Sequence, residues 1–348
     1  MEAQHPGEEP QVRNVPSAPH MPQDRLNNHN FPALCTALAA AALLLAACKS
    51  TKSDAGSPQP GNGQVVLDGA GQPQPYDPKI WDKGPPDPLG AYLAELDKSM
   101  RAWTNLTLTA QTRNDRTKAS MLQQDLIRRV DARKLELVDA LETGPPRNRA
   151  IAAGALGFSS THDIQGPLIV ALTDKDESVV QNACLSLALQ QEVNTPLAPL
   201  LEVMQGNLNG LARANAAYAI RTILEAGAPS NEDVVKASRR GLLDIEPFVQ
   251  AQSTLILALA EDGESVPDLG EMLGGESPLV IGAAIQSLLA LGRGDPKLLG
   301  PTARALVGGL TTAPVDMRPA VLRALGLLSG HSYGTDTKAW NEWAQRLP

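Results

Sequence analysis

An alanine followed by leucine or isoleucine recurs along the chain, at Ala155-Leu156, Ala188-Leu189, Ala219-Ile220, Ala258-Leu259, Ala290-Leu291 and Ala324-Leu325. The intervals are 33, 31, 39, 32 and 34 residues. Each pair sits late in an apolar-rich stretch of helical spacing, predicted at 149–158, 178–190, 208–224, 247–260, 278–291 and 316–328. A shorter helical pattern precedes most of them, at 164–172, 195–204, 231–243, 265–273 and 297–310. Pro247 and Pro278 fall where a first helical turn tolerates proline. Gly206, Gly227, Gly263, Gly274, Gly275 and Gly292 follow the expected helix ends, where a left-handed residue is wanted. The predicted unit is helix, tight turn, helix. Two such helices cannot bury their apolar faces alone, so copies are expected to stack around a continuous core. The fold class is therefore all-α, an α-solenoid of about six helix pairs spanning 145–330.

Leu89, Tyr92, Leu93 and Leu96 stand at helical spacing, and a long helical stretch follows from about 115 to 141, through Leu122, Leu126, Val130, Leu135, Leu137 and Val138. Residues 89–144 thus read as an N-terminal helical cap. Trp340 and Trp343, at i and i+3 in the segment 331–348, are expected to close the other end by covering the last apolar face.

The first 88 residues follow a different pattern. From Ala33 to Ala47 the chain runs fifteen residues without a charge and ends at Cys48, followed by Lys49-Ser50-Thr51-Lys52. That run is short for a membrane span, which needs ~20 apolar residues, and suits the hydrophobic region of a secretory signal. Leu45-Ala46-Ala47-Cys48 resembles the lipobox of bacterial lipoproteins, in which the cysteine is acylated and the preceding segment is cleaved. The resemblance implies a signal peptide at 1–47, a lipid on Cys48 and a membrane partner reached through that lipid. Residues before the run carry Glu2, Glu8, Glu9 and Asp24 against Arg13 and Arg25, so Met21 is an alternative start with Arg25 as the leader's basic residue. Lys at position 49, where aspartate is absent, implies an outer-membrane rather than inner-membrane destination in the bacterial cell envelope. Residues 48–88 are rich in Gly and Pro and read as a disordered tether, with a reach of about 35 Å by random-coil scaling.

The repeats themselves resemble the HEAT family, in particular short bacterial variants related to phycobilin lyase repeats. Leu172 to Val180 carries the resemblance, with the acidic turn Asp174-Lys175-Asp176-Glu177 ahead of a valine-initiated second helix. The family's arginine, six residues before the Ala-Leu pair, is matched by Arg149, Arg213 and Arg318. Asn182, Gln252 and Ala284 depart from it. The resemblance implies a partial arginine–aspartate ladder of structural residues, Arg149, Arg213, Arg318, Asp174 and Asp176, and a surface that binds unidentified protein partners.

Composition narrows the function classes. Aromatic residues make up only 3% of the chain, so the core must be aliphatic. Residues 145–348 carry 15 Lys and Arg against 21 Asp and Glu, and no basic stripe interleaves with aromatics, so nucleic acid is not an expected partner. Cys184 in its apolar helical setting reads as a small core residue. Outside the expected leader, His162 and His331 are the histidines and stand far apart, Ser159/His162/Asp163 lies in a single capping-type turn, and Asp174 and Asp176 lack the remainder of a calcium loop. No catalytic residue, metal or cofactor is expected. The leading functional expectation is a lipid-anchored protein-binding or scaffolding module. The alternatives are a bilin-lyase-like enzyme on the same fold and a purely architectural envelope component.

Overall fold

A computed structural model of the chain describes residues 88–348. The expected signal peptide, the lipobox residues Leu45, Ala46 and Ala47, Cys48 and the tether lie outside the described residues. Within them fifteen α-helices succeed one another without a strand. The architecture is an all-α solenoid, as the periodicity predicts.

Two helices open the described chain, α1 (Leu89–Thr109) and α2 (Arg113–Ala132). A capping box starts α2: Thr112 Oγ1 accepts from the Asp115 N–H while the Asp115 carboxylate accepts from the Thr112 N–H. The expected long helix over 115–141 is broken at Arg133, where α2 gives way to α3 (Lys134–Thr143). The break is held from both sides. The Arg133 guanidinium lies 4.3 Å from the centre of the Tyr92 ring on α1, and Asp131 accepts hydrogen bonds from Ser159 and Ser160 of the next repeat. Because α3 packs on α4 (Pro146–Leu156), it belongs to the first pair rather than to the cap, and the repeats begin near residue 134 instead of 145.

The remaining pairs are α5 (Gln165–Ala171) with α6 (Glu177–Gln190), α7 (Ala198–Gly206) with α8 (Gly210–Glu225), α9 (Glu232–Gly241) with α10 (Pro247–Leu259), α11 (Val266–Glu271) with α12 (Pro278–Gly294), and α13 (Leu299–Thr312) with α14 (Arg318–Ser329). Every second helix, from α4 to α14, packs closely on the next. Alanine makes this possible: Ala152, Ala153, Ala183, Ala214, Ala217 and Ala284 are wholly buried, so the backbones approach closely. The first helices stack discontinuously. Contact is substantial for α3 with α5, α7 with α9 and α11 with α13, and marginal at most for α5 with α7 and α9 with α11.

Polar side chains bridge the layer of second helices. The Asn182 amide donates to the Ala150 carbonyl (2.7 Å), Ser186 Oγ to Ala153 (2.6 Å) and Ser287 Oγ to Thr254 (2.8 Å), each reaching one repeat back. The core is not the single continuous spine that the stacking argument predicts. One apolar cluster runs from Leu93 to Ile256 and another from Leu242 to Ala344, with Ala251, Val280 and Ala283 forming a small third group. Ser238, Gln252, Ser253, Thr254 and Ser287, all buried, occupy the region where they meet.

Two glycine expectations separate here. Gly227 is left-handed (φ +108°), and the N–H groups of Gly227 and Ala228 cap the Leu224 and Ile223 carbonyls at the end of α8. Gly292 lies inside α12 instead, at a position where a β-carbon would stand 2.2 Å from Thr302 Oγ1, itself buried and bonded to Leu298. Gly206, Gly263, Gly274 and Gly275 are likewise not left-handed; Gln191 (φ 47°) and Glu261 (φ 55°) fill that role at the ends of α6 and α10.

The end cap is α15 (Thr337–Gln345), which packs on α13. Trp340 is buried, donates its indole N–H to the Gly334 carbonyl (3.0 Å) and meets Tyr333 and Trp343 edge-on at 4.8 and 5.8 Å.

Candidate functional site: the edge of intra-pair turns

The turns joining the two helices of each pair lie along one edge of the stack, and the expected ladder residues all sit there. Arg149, on α4, donates to both carboxylate oxygens of Asp174 in the next turn (2.8 Å each) and to the Gly144 carbonyl of its own turn (3.0 Å). Asp174 also accepts from the Asp176 N–H, and Asp176 caps α6 by accepting from Ser178 (2.9 Å). The Arg149 hydrogen bond holds the Asp174 carboxyl below the usual carboxylate range.

Arg213, on α8, repeats the arrangement. It grips both oxygens of Asp244 (2.8 and 2.7 Å) and donates to the Asn207 and Leu208 carbonyls. Burial pushes the Asp244 carboxyl up, but the hydrogen bonds from Arg213 and the Glu246 N–H outweigh it and the net shift is downward. Arg318 lies on α14, which is followed among the described residues by the cap helix rather than by another acidic turn. It donates instead to Ala313 and Thr311 of its own pair. Where the arginine is replaced, Asn182 bonds back to α4, and Gln252 accepts from Arg221 (2.7 Å) inside the α8–α10 contact.

The same edge exposes large apolar side chains. Leu208 is 96% exposed, Leu243 86% and Ile245 93%. The pattern reading placed Leu208 and Leu243 within helices over 208–224 and 231–243; both stand in turns outside α8 and α9. One arginine ties the two turns together, since Arg213 binds the Leu208 carbonyl and the Asp244 carboxylate between Leu243 and Ile245. The sequence signal was available in the Leu-Asp-Ile alternation at 243–245, which has no helical period.

The catalytic alternatives do not assemble at this edge or elsewhere in the described residues. Ser159 bonds Asp131 and Thr161, His162 faces Glu192 (3.4 Å), and Asp163 binds Lys134 and Thr161, so Ser159, His162 and Asp163 do not bond one another and form no triad. The turn makes no side-chain cap, contrary to the capping expectation, because its hydroxyls and carboxylate are spent on those contacts. Cys184 is wholly buried, and burial pushes its thiol well above the ordinary value. No cluster of three or more metal-ligating side chains occurs among the described residues, and no described helix is long and apolar enough to cross a membrane.

Fold and edge together define an α-solenoid in which arginine–aspartate pairs tie the first turn to the second and the third to the fourth. A protein-family model for HEAT repeats matches residues 135–221, from α3 into α8, so this stretch is a HEAT-repeat domain. The pairs from α9 onward lie beyond the match and repeat its layout. No curated protein matches the chain.

Proposed function

We propose that the chain is a protein-binding or scaffolding module, held in the bacterial cell envelope by a lipid on Cys48, with the outer membrane as its destination and no catalytic or nucleic-acid-binding role. HEAT repeats typically mediate protein–protein interaction. The observation that carries the reading is the row Leu208, Leu243 and Ile245, exposed on two turns that Arg213 ties together. Exposed apolar side chains on an ordered edge are a feature of surfaces that meet another protein. The anchoring half rests on the sequence pattern Leu45 to Cys48 alone.

Each half has its own measurement. Mass spectrometry of the mature chain should find Cys48 as an acylated N-terminal residue; an unmodified Cys48 in the exported protein ends the anchoring proposal. A photocrosslinking amino acid at position 243, in cells, should yield a discrete adduct that disappears with Leu208→Glu and Ile245→Glu. Failure to trap any adduct removes the support for a binding edge.

A further inference from the structure

Charge divides along the chain. Residues 89–134 carry nine Lys and Arg against five Asp and Glu, whereas residues 135–348 carry 15 against 24. The cap is therefore basic and the repeats acidic. Within the cap the excess collects where α1 turns into α2: from Met100 to Gln124 the cations are Arg101, Arg113, Arg116 and Lys118, and the one acid is Asp115. Arg101 reaches back along α1 to Asp97. Arg113, Arg116 and Lys118 are exposed and form no ion pair among the described residues, while Asp115 is engaged by Thr112 in the capping box and lies within electrostatic range of Lys118. The remaining acids of α2 stand in its second half, Asp125 beside Arg128 and Arg129, and Asp131 bonded to Ser159 and Ser160.

Packing turns this charge outward. The helix α2 buries Ala119, Leu126 and Val130, packs on α1 and touches α3 and α4 only lightly. Helical spacing places Arg113, Thr117, Ser120, Met121 and Gln124 on the side away from those buried residues, with Arg116 and Lys118 at its margins. All seven are exposed, Met121 to 68%. Helix stability does not account for Arg113 and Arg116, since the macrodipole disfavours cations in a first turn; its positive end instead adds to their field. A solenoid end needs a polar cap to stay soluble. Solubility alone does not call for a single sign of charge, opposite to that of the repeats.

We infer that this face of α2 rests on the anionic phospholipid headgroups of the membrane that holds Cys48. The inference rests on the anchoring reading and adds to it a second contact and an orientation. Cys48 stands forty residues before Pro88, and the expected reach of about 35 Å exceeds the ~30 Å length of α1, so the turn between α1 and α2 comes within range of the leaflet. There Arg113, Arg116 and Lys118 meet the negative surface and Met121 enters the headgroup layer. The acidic repeats are repelled by the same surface, so the cap lies against it and the solenoid stands away. Trp103, the one aromatic residue between Met100 and Gln124, is buried, which leaves the cations without the stacking surface that single-stranded nucleic acid uses.

The test places a fluorescent amino acid at position 120, on the outward face of α2, or at position 335, exposed at the far end of the rod. The mature chain is mixed with vesicles carrying a headgroup-linked energy acceptor, made of phosphatidylcholine alone or with about a quarter phosphatidylglycerol. Transfer from position 120 should be strong on the phosphatidylglycerol vesicles, weak on phosphatidylcholine, and weak again at about 1 M salt, where the Debye length is ~3 Å. Transfer from position 335 should stay low throughout. Arg113→Gln/Arg116→Gln/Lys118→Gln should lower the ratio of docked to undocked cap on the order of a hundredfold, at about fivefold for each basic residue beside an anionic leaflet. Lys297→Gln, an exposed cation among the acidic repeats, should change nothing. Equal transfer on both vesicles, an unaffected triple variant, or transfer from position 335 as strong as from position 120 overturns the inference. So does salt-sensitive self-association without transfer, which would give the basic face to the acidic repeats of a second copy. The mass of Cys48 reads the anchor separately: an acylated Cys48 with equal transfer keeps the anchor and ends the docked cap, and an unmodified Cys48 with phosphatidylglycerol-dependent transfer does the reverse.

Discussion

Glu261 shows how single residues set the joints of this solenoid. It holds a left-handed backbone while the N–H groups of Glu261 and Asp262 cap the Ala258 and Leu257 carbonyls of α10. That is a glycine-type helix end occupied by glutamate, at a cost of about 1 kcal/mol. Glu261→Gly is expected to raise stability by a fraction of that amount, read from the urea midpoint, since glycine also loses more chain entropy. The reverse logic applies in α12. Gly292→Ala should destabilise by about 1–3 kcal/mol through overpacking against Thr302, whereas Gly282→Ala, in open space on the same helix, should be neutral or stabilise by up to ~1 kcal/mol. Spacing marks both as glycines in or near a helix; the atoms that distinguish them come from elsewhere in the chain, which is why the pattern reading misplaced Gly292.

The ladder carries its own pH signature. Asp174 and Asp244 have folded-state values below their unfolded ones, so their contribution is complete above the unfolded value of about 4 and is lost as pH falls through the depressed folded values. Melting temperature measured from pH 6 to pH 2 should therefore drop with acid, and more gently in the Arg149→Ala/Arg213→Ala double variant. At neutral pH, Arg213→Ala alone is expected to cost about 2 kcal/mol, because a partly buried carboxylate loses its charged donors. An acid profile that is identical with and without the two arginines would remove the ladder from the account of stability.

Among elements, the pairing of helices was legible because two periodicities agree: apolar residues at helical spacing within each helix and Ala-Leu pairs at repeat spacing between them. Their ends were less legible. Leu208 and Leu243 carry the same side chain as core leucines such as Leu200 and Leu306, and only the turn geometry exposes them. The split between α2 and α3 was hidden for a related reason. Leu126, Val130 and Leu137 are all buried and keep an acceptable helical phase across Arg133, so the break appears only when Tyr92 and Ser159 are brought alongside. Of the edge, the three matched arginines could be read from spacing, but the Asp244 partner could not, since it follows a turn whose length was not predicted.

Over the whole molecule, the division of the core governs how disturbance spreads. Repeat stacks transmit stability mainly between neighbours, and the polar residues around Ser253 and Ser287 separate two apolar clusters. Leu306→Ala, in the second cluster, should cost about 2–5 kcal/mol. Hydrogen exchange followed by mass spectrometry should then show faster exchange across α11 to α15 and unchanged protection across α2 to α6. Equal acceleration at both ends would mean that the solenoid behaves as one cooperative unit.

The uneven stacking of the first helices has a mechanical corollary. The row from α4 to α14 behaves as a strip of nearly fixed length, whereas the opposite row is segmented at α5/α7 and α9/α11. Flexure of the rod is expected to concentrate at these two slots, where widening would strain the Gln165–Thr195 hydrogen bond and the Arg239 pairs with Asp262 and Glu264. Seen this way, the molecule is a set of blocks on a common ribbon, with its compliance expected at two points.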